Sequence, residues 1–155
     1  MRLAILSALA IVLAATPALA NEARVEARGG VAWSNGDSEA IAGVAAGYDY
    51  DLGASAFVGA EVSADKILDG AANRVGFGFA GRAGVKIGEK SKLYAIGGYT
   101  TKFCEFCDGT WNAGAGYELG FGQKLYGKVE YRHFFVDNIN GDDVDAVVAG
   151  LGVKF

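Results

Sequence analysis

His133 is the only histidine in the chain, and so the only side chain suited by type to general-base work near neutral pH. Such a base needs a nucleophile within reach, and the run Arg132-His133-Phe134-Phe135 supplies none. Ser34, Ser38, Ser55, Ser63 and Ser91 lie in no nucleophile motif. Cys104-x-x-Cys107, flanked by Phe103 and Phe106, is the second place where chemistry could occur. A redox site of this spacing needs a βαβ context that the neighbouring residues lack. A zinc site needs more soft ligands than two cysteines and one distant histidine. In an exported chain the spacing predicts a local Cys104–Cys107 disulfide that stiffens a loop. The acidic run 136–143 suggests a calcium loop at first sight. Aligned on Gly141, however, it has Val136 where the first ligand belongs, so the spacing fails. Asn140-Gly141 is better read as turn chemistry. No catalytic residue, cofactor or metal site follows from these residues.

The chain that must position them has 155 residues, enough for one domain. It carries 24 glycines against one proline, and 52% of its residues are hydrophobic. Eighteen acids against 14 Lys and Arg give a net charge of -4, which argues against a nucleic-acid partner. Met1-Arg2 is a positive start, Leu3 to Ala15 is apolar except for Ser7, and Ala18-Leu19-Ala20 is a small-residue cleavage site. Residues 1–20 are therefore expected to be a secretory signal peptide cut after Ala20, with one domain over 21–155. The apolar stretch is shorter than the ~20 residues a membrane helix needs.

Beyond Ala20 the chain falls into short runs of period two separated by polar turns. In 74–87, Val75, Phe77, Phe79, Ala83, Val85 and Ile87 face one way, and Arg74, Arg82 and Lys86 face the other among glycines. Runs over 25–33, 56–63, 111–119, 125–133 and 145–155 repeat the pattern. Two more, 40–48 and 93–101, are apolar or small on both faces, and their register is not legible. Together they predict eight strands of roughly nine to eleven residues, the length of a tilted membrane-spanning strand. Connections 49–53, 88–92 and 120–123 are tight, whereas 34–39, 64–73, 102–110 and 136–143 are longer and acidic. Divalent bridging to anionic surface glycolipid is one use for those acids, and a solvated rim is another. An up-and-down meander follows, with short turns at one end and longer loops at the other.

Eight such strands close either as a soluble lipocalin-like barrel with an apolar cavity or as a membrane barrel with a polar interior. The polar face carries Glu26, Arg28, Glu61, Arg74, Arg82, Lys86, Glu118, Lys128, Glu130 and Arg132, interleaved with glycine. Large charges beside glycines suit a cramped lumen rather than a solvated exterior. These six bases and four acids are read as a salt-bridge network that fills the barrel. The competing reading is a small gated, anion-selective channel, but eight strands leave little open width. Trp33, Tyr48, Tyr99, Trp111 and Tyr117 fall near strand ends, as interfacial girdles do. The soluble-carrier alternative also lacks a Gly-x-Trp opening, since Gly30 and Trp33 are three apart.

The last strand alternates Val147, Ala149, Leu151, Val153 and Phe155 up to the final residue. It resembles the terminal strand of bacterial outer-membrane barrels, whose last aromatic is read by the barrel-assembly machinery. With the signal peptide, the alternating connections and Glu130-Tyr131-Arg132, the chain resembles small eight-stranded barrels of the OmpA, OmpX and opacity-protein type. The peptidoglycan-binding domain of full-length OmpA-type proteins has no counterpart here. The resemblance implies an all-β, eight-stranded antiparallel up-and-down transmembrane β-barrel in a Gram-negative outer membrane. It would be monomeric, with lipid around it, the short turns in the periplasm and a ligand, if any, at the outer loops. The implied role is non-enzymatic: membrane integrity, surface exposure or loop-mediated adhesion, not an open general porin. Two lipid A-modifying enzymes share this barrel, and the deacylase carries a His-x-Ser pair near the outer rim. In this chain Phe135 occupies the serine position, and His133 falls on the lipid-facing register at headgroup level.

Overall fold

The computed structural model describes residues 21–68, 75–101, 109–136 and 143–155. Eight strands run in order: β1 (Glu22–Ser34), β2 (Asp37–Asp51), β3 (Ala56–Ile67), β4 (Gly76–Ile87), β5 (Ser91–Thr100), β6 (Thr110–Phe121), β7 (Leu125–Phe135) and β8 (Val144–Lys154). Each pairs antiparallel with its neighbour in sequence. β8 pairs back onto β1, with Arg28 opposite Gly150, so the sheet closes into a barrel and leaves no edge.

Period two sorts the side chains. Val31, Val44, Val62, Phe79, Val85, Leu93, Val129 and Leu151 point outward and are exposed. Arg24, Asp49, Glu118 and Glu130 point inward and are fully buried. A soluble carrier would need the opposite arrangement, so that alternative is excluded. β2 and β5, unreadable in sequence, obey the same rule. Val44 and Tyr48 face out while Ala45 and Asp49 face in, and Leu93 and Tyr99 face out while Tyr94 and Ile96 face in. Phe57, Tyr94 and Ile96 form the one apolar cluster of the described interior.

Inward glycines leave space for large neighbours. A Cβ at Gly116 would collide with the Tyr94 ring, and one at Gly47 with the Arg24 guanidinium. Outside, Phe79, Tyr99, Trp111 and Phe135 are successive cross-strand partners on β4 to β7, forming one aromatic row. Tyr99 and Trp111 meet edge to face at 5.4 Å.

The connections differ from expectation at one end. The stretch 34–39 is not a long loop. Ser34 pairs with Asp37, and Asn35-Gly36 alone turns the chain, with φ of 49° and 93°. Two successive positive φ angles match the right-handed twist of the flanking strands, which is why Asn-Gly closes so tight a hairpin. Asp37 and Glu39 therefore belong to β2, and Asp65, expected in a loop, lies on β3 and is buried. Turns 52–55, 88–90 and 122–124 at the other end are short, as expected.

Candidate functional site

The inward faces bring their charges together in two linked clusters. In the first, Glu61 of β3 accepts from Arg24 at 3.1 Å, Arg28 at 3.0 Å, Lys128 at 3.1 Å and Arg132 at 2.9 Å. Lys128 also reaches Glu26 at 2.7 Å and Glu130 at 3.3 Å, and Arg132 Nε donates to Glu130 at 2.5 Å. Arg28 grips Asp65 with two nitrogens, Nε at 2.7 Å and Nη2. In the second cluster Arg82 holds Asp49 with two nitrogens and Glu118 at 3.1 Å. Lys92 joins Asp49 at 2.9 Å to Glu22 at 2.6 Å, and Lys154 joins Glu118 at 2.6 Å to Glu22 at 3.2 Å. Arg24 links the clusters, lying 3.9 Å from Asp49.

The polar atoms of two buried rings complete the network. Tyr94 donates to Glu130 at 2.8 Å and Tyr126 to Glu26 at 2.7 Å. The Arg82 guanidinium lies 4.7 Å from the Tyr94 ring centroid and 5.3 Å from that of Phe57. Buried ions are tolerable only when paired, and these are, although Arg24 Nε and Nη2 and Glu26 Oε1 make ionic contacts without a hydrogen bond.

Among the sequence-predicted residues, Glu26, Arg28, Glu61, Arg82, Glu118, Lys128, Glu130 and Arg132 all sit buried inside. Lys86 pairs with Asp51 at the half-exposed mouth by the short turns. Arg74 and the Cys104–Cys107 pair lie outside the described residues. Among the described residues six buried bases (Arg24, Arg28, Arg82, Lys92, Lys128, Arg132) face six buried acids (Glu26, Asp49, Glu61, Asp65, Glu118, Glu130). Arg24 was legible, since it shares the parity of Glu26 and Arg28. Asp49 and Asp65 were hidden because each lies near the end of a strand that runs further than its sequence pattern indicates, to Asp51 in β2 and to Ile67 in β3.

At the end of β7 away from the short turns a second polar group faces away from the lumen. His133 is the cross-strand partner of Asp145, its Nδ1 lies 2.8 Å from the Asp145 carboxylate, and its Nε2 lies 3.4 Å from that of Asp143. Tyr131 donates to the same Asp145 oxygen at 2.5 Å. The Phe135 ring packs edge-on against the imidazole at 4.9 Å. Both ring nitrogens thus face carboxylates, and no serine or threonine hydroxyl is hydrogen-bonded to the ring among the described residues.

A closed antiparallel barrel with an apolar wall and an ion-paired interior is a transmembrane β-barrel. No protein-family model matches the chain, and no curated protein matches it in sequence. In fold it is similar to the N-terminal β-barrel domain of Pseudomonas aeruginosa OprF, with 18% identity over 86% of this chain and 97% of that one, at a TM-score of 0.57. It is similar also to Ail, the attachment invasion locus protein of Yersinia pestis, with 14% identity over 87% and 98% and a TM-score of 0.56. The outer membrane enzyme PagL matches at 15% identity over 85% and 98%, with a TM-score of 0.57. At these identities the likeness is one of fold.

Proposed function

We propose that the protein is a non-enzymatic barrel of a Gram-negative outer membrane. It acts as a closed post that presents its outer connections at the cell surface, for adhesion or for membrane integrity. The observation that carries this reading is the ion-paired lumen, in which Glu61 alone is engaged by Arg24, Arg28, Lys128 and Arg132. A constitutive aqueous path would have to displace those pairs, and eight strands leave room for little besides side chains. Fold likeness to an attachment invasion locus protein supports the surface role by analogy. The reading includes export by a signal peptide cut after Ala20, assembly through the Phe155 strand, a monomer, and a Cys104–Cys107 disulfide.

Fold likeness to an outer membrane enzyme supports an enzymatic rival, and the deacylase resemblance around His133 gives that rival its form, lipid A hydrolysis. The placement of His133 weighs against it, because both nitrogens face carboxylates and Phe135 stands where a nucleophile two residues on would be. The test uses folded protein, verified by its mobility shift on unboiled SDS gels. Planar bilayers should stay silent apart from rare brief events, and lipid A incubated with the protein should keep its mass. A steady conductance would overturn the closed post. Loss of an acyl chain from lipid A, abolished by His133→Ala, would overturn the non-enzymatic reading.

A further inference from the structure

Three strands meet at Asp143, the residue just before β8. Its carbonyl accepts from Ser34 Oγ, the last residue of β1, at 3.0 Å. Its Oδ1 accepts from the N–H of Val136, just past β7, at 3.1 Å. Its Oδ2 lies 3.4 Å from Nε2 of His133 on β7. Two residues on, Asp145 Oδ1 receives the Tyr131 hydroxyl at 2.5 Å and faces His133 Nδ1 at 2.8 Å. The imidazole thus stands between two carboxylates of β8 and its approach.

The proton count of the ring decides what those contacts are. A neutral imidazole carries one N–H, and an imidazolium carries two. A carboxylate only accepts, so the shorter contact, Nδ1 to Asp145, takes the single proton. Nε2 then turns a lone pair toward the Asp143 carboxylate, and two acceptors repel. The charged ring donates from both nitrogens and joins both acids. Tyr131 holds Asp145 in place in either state, so the change falls on Asp143. The His133 side chain is 31% exposed, which lets protons reach it.

We propose that His133 is a proton-operated clasp on the end of the barrel away from the short turns. Charged, it fastens Asp143, and with it the start of β8, to the end of β7. Neutral, it releases Asp143 and loosens the junction with β1 and Val136. Among the described residues the titratable groups that face the ring are Asp143, Asp145 and, through Asp145, Tyr131. The neighbouring strands add no charge there: β6 sets Ala113 opposite His133, and β1 sets Trp33 opposite Asp145. The clasp is therefore present at low pH and lost as pH rises through the imidazole range.

The test is solution NMR of the full folded chain in detergent micelles from pH 5.5 to 9. The imidazole titration is read directly. Exchange of the Val136 amide with water is read beside it and corrected for the intrinsic pH dependence of exchange. Protection of that amide should fall by about fivefold across the imidazole step, the size of a half-exposed ion pair. Val129, in mid-strand, should show no such step. His133→Gln should make the Val136 curve flat. Asp143→Asn should flatten it too, while the imidazole still titrates. Should a variant fail to fold, the two wild-type curves decide the matter alone. Val136 protection that stays level while the ring titrates would overturn the clasp. So would a step that survives His133→Gln.

Discussion

An ion locked inside the barrel matters most through what its loss strands. Arg82 holds Asp49 and Glu118 and lies over the Tyr94 and Phe57 rings. Arg82→Leu leaves both carboxylates short of a partner, and breaking a buried pair in this way costs about 3–5 kcal/mol. Its urea midpoint should fall well below that of Lys66→Leu, an exposed position whose change should stay within about 0.5 kcal/mol. Equal midpoints would contradict the inward placement of Arg82. Glu61→Gln tests the hub, since the amide keeps the shape and leaves four cations around a neutral group. It should destabilise far more than Lys86→Gln, whose half-exposed pair with Asp51 is worth up to about 1 kcal/mol. Gly116→Val should block the native position of the Tyr94 ring and abolish the gel shift.

Strands and turns carry their own expectations. Gly36 has a φ of 93°, so Gly36→Val puts a branched side chain where it costs about 1–2 kcal/mol. A urea midpoint unchanged by that substitution would mean that the turn at 35–36 relaxes. The elements were legible where the two faces of a strand differ chemically. β4 sets Phe77, Phe79 and Val85 against Arg82 and Lys86, and its register was plain. β5 sets Leu93 and Tyr99 against Tyr94 and Ile96, apolar on both sides, because the Arg82 guanidinium uses Tyr94 as an aromatic floor. Contrast is lost there for a structural reason. The ends of the strands were misjudged for another. Asp37, Glu39, Asp49 and Asp65 look like loop residues by type. The strands run further than these residue types suggest, and an acid at such an end either meets water or turns into a lumen that supplies arginine. Eight of the twelve buried charges among the described residues were therefore legible as lumen residues, and the other four are Arg24, Lys92, Asp49 and Asp65.

At the scale of the molecule, inside and outside have exchanged the roles they play in a soluble protein. The barrel should thus resist SDS until heated and migrate as two forms on gels with and without boiling. A single form in both lanes would speak against a closed barrel. Alkylation before and after reduction should change the mass only after reduction if Cys104 and Cys107 are bridged as proposed. The closure of β8 onto β1 has a further consequence, for how the molecule comes to exist. Arg24 meets Lys154 across that seam, and the same two strands lie about as far apart in sequence as the described chain allows. Glu26 of β1 finds its partners, Tyr126 and Lys128, only on β7. Neither the seam nor those bonds can form until nearly the whole chain is in hand, and contacts of such long range slow folding. An open sheet would meanwhile hold bare amides and carbonyls in hydrocarbon, which lipid does not tolerate. Insertion, closure and charge pairing are then one event, and the first strand waits for the last.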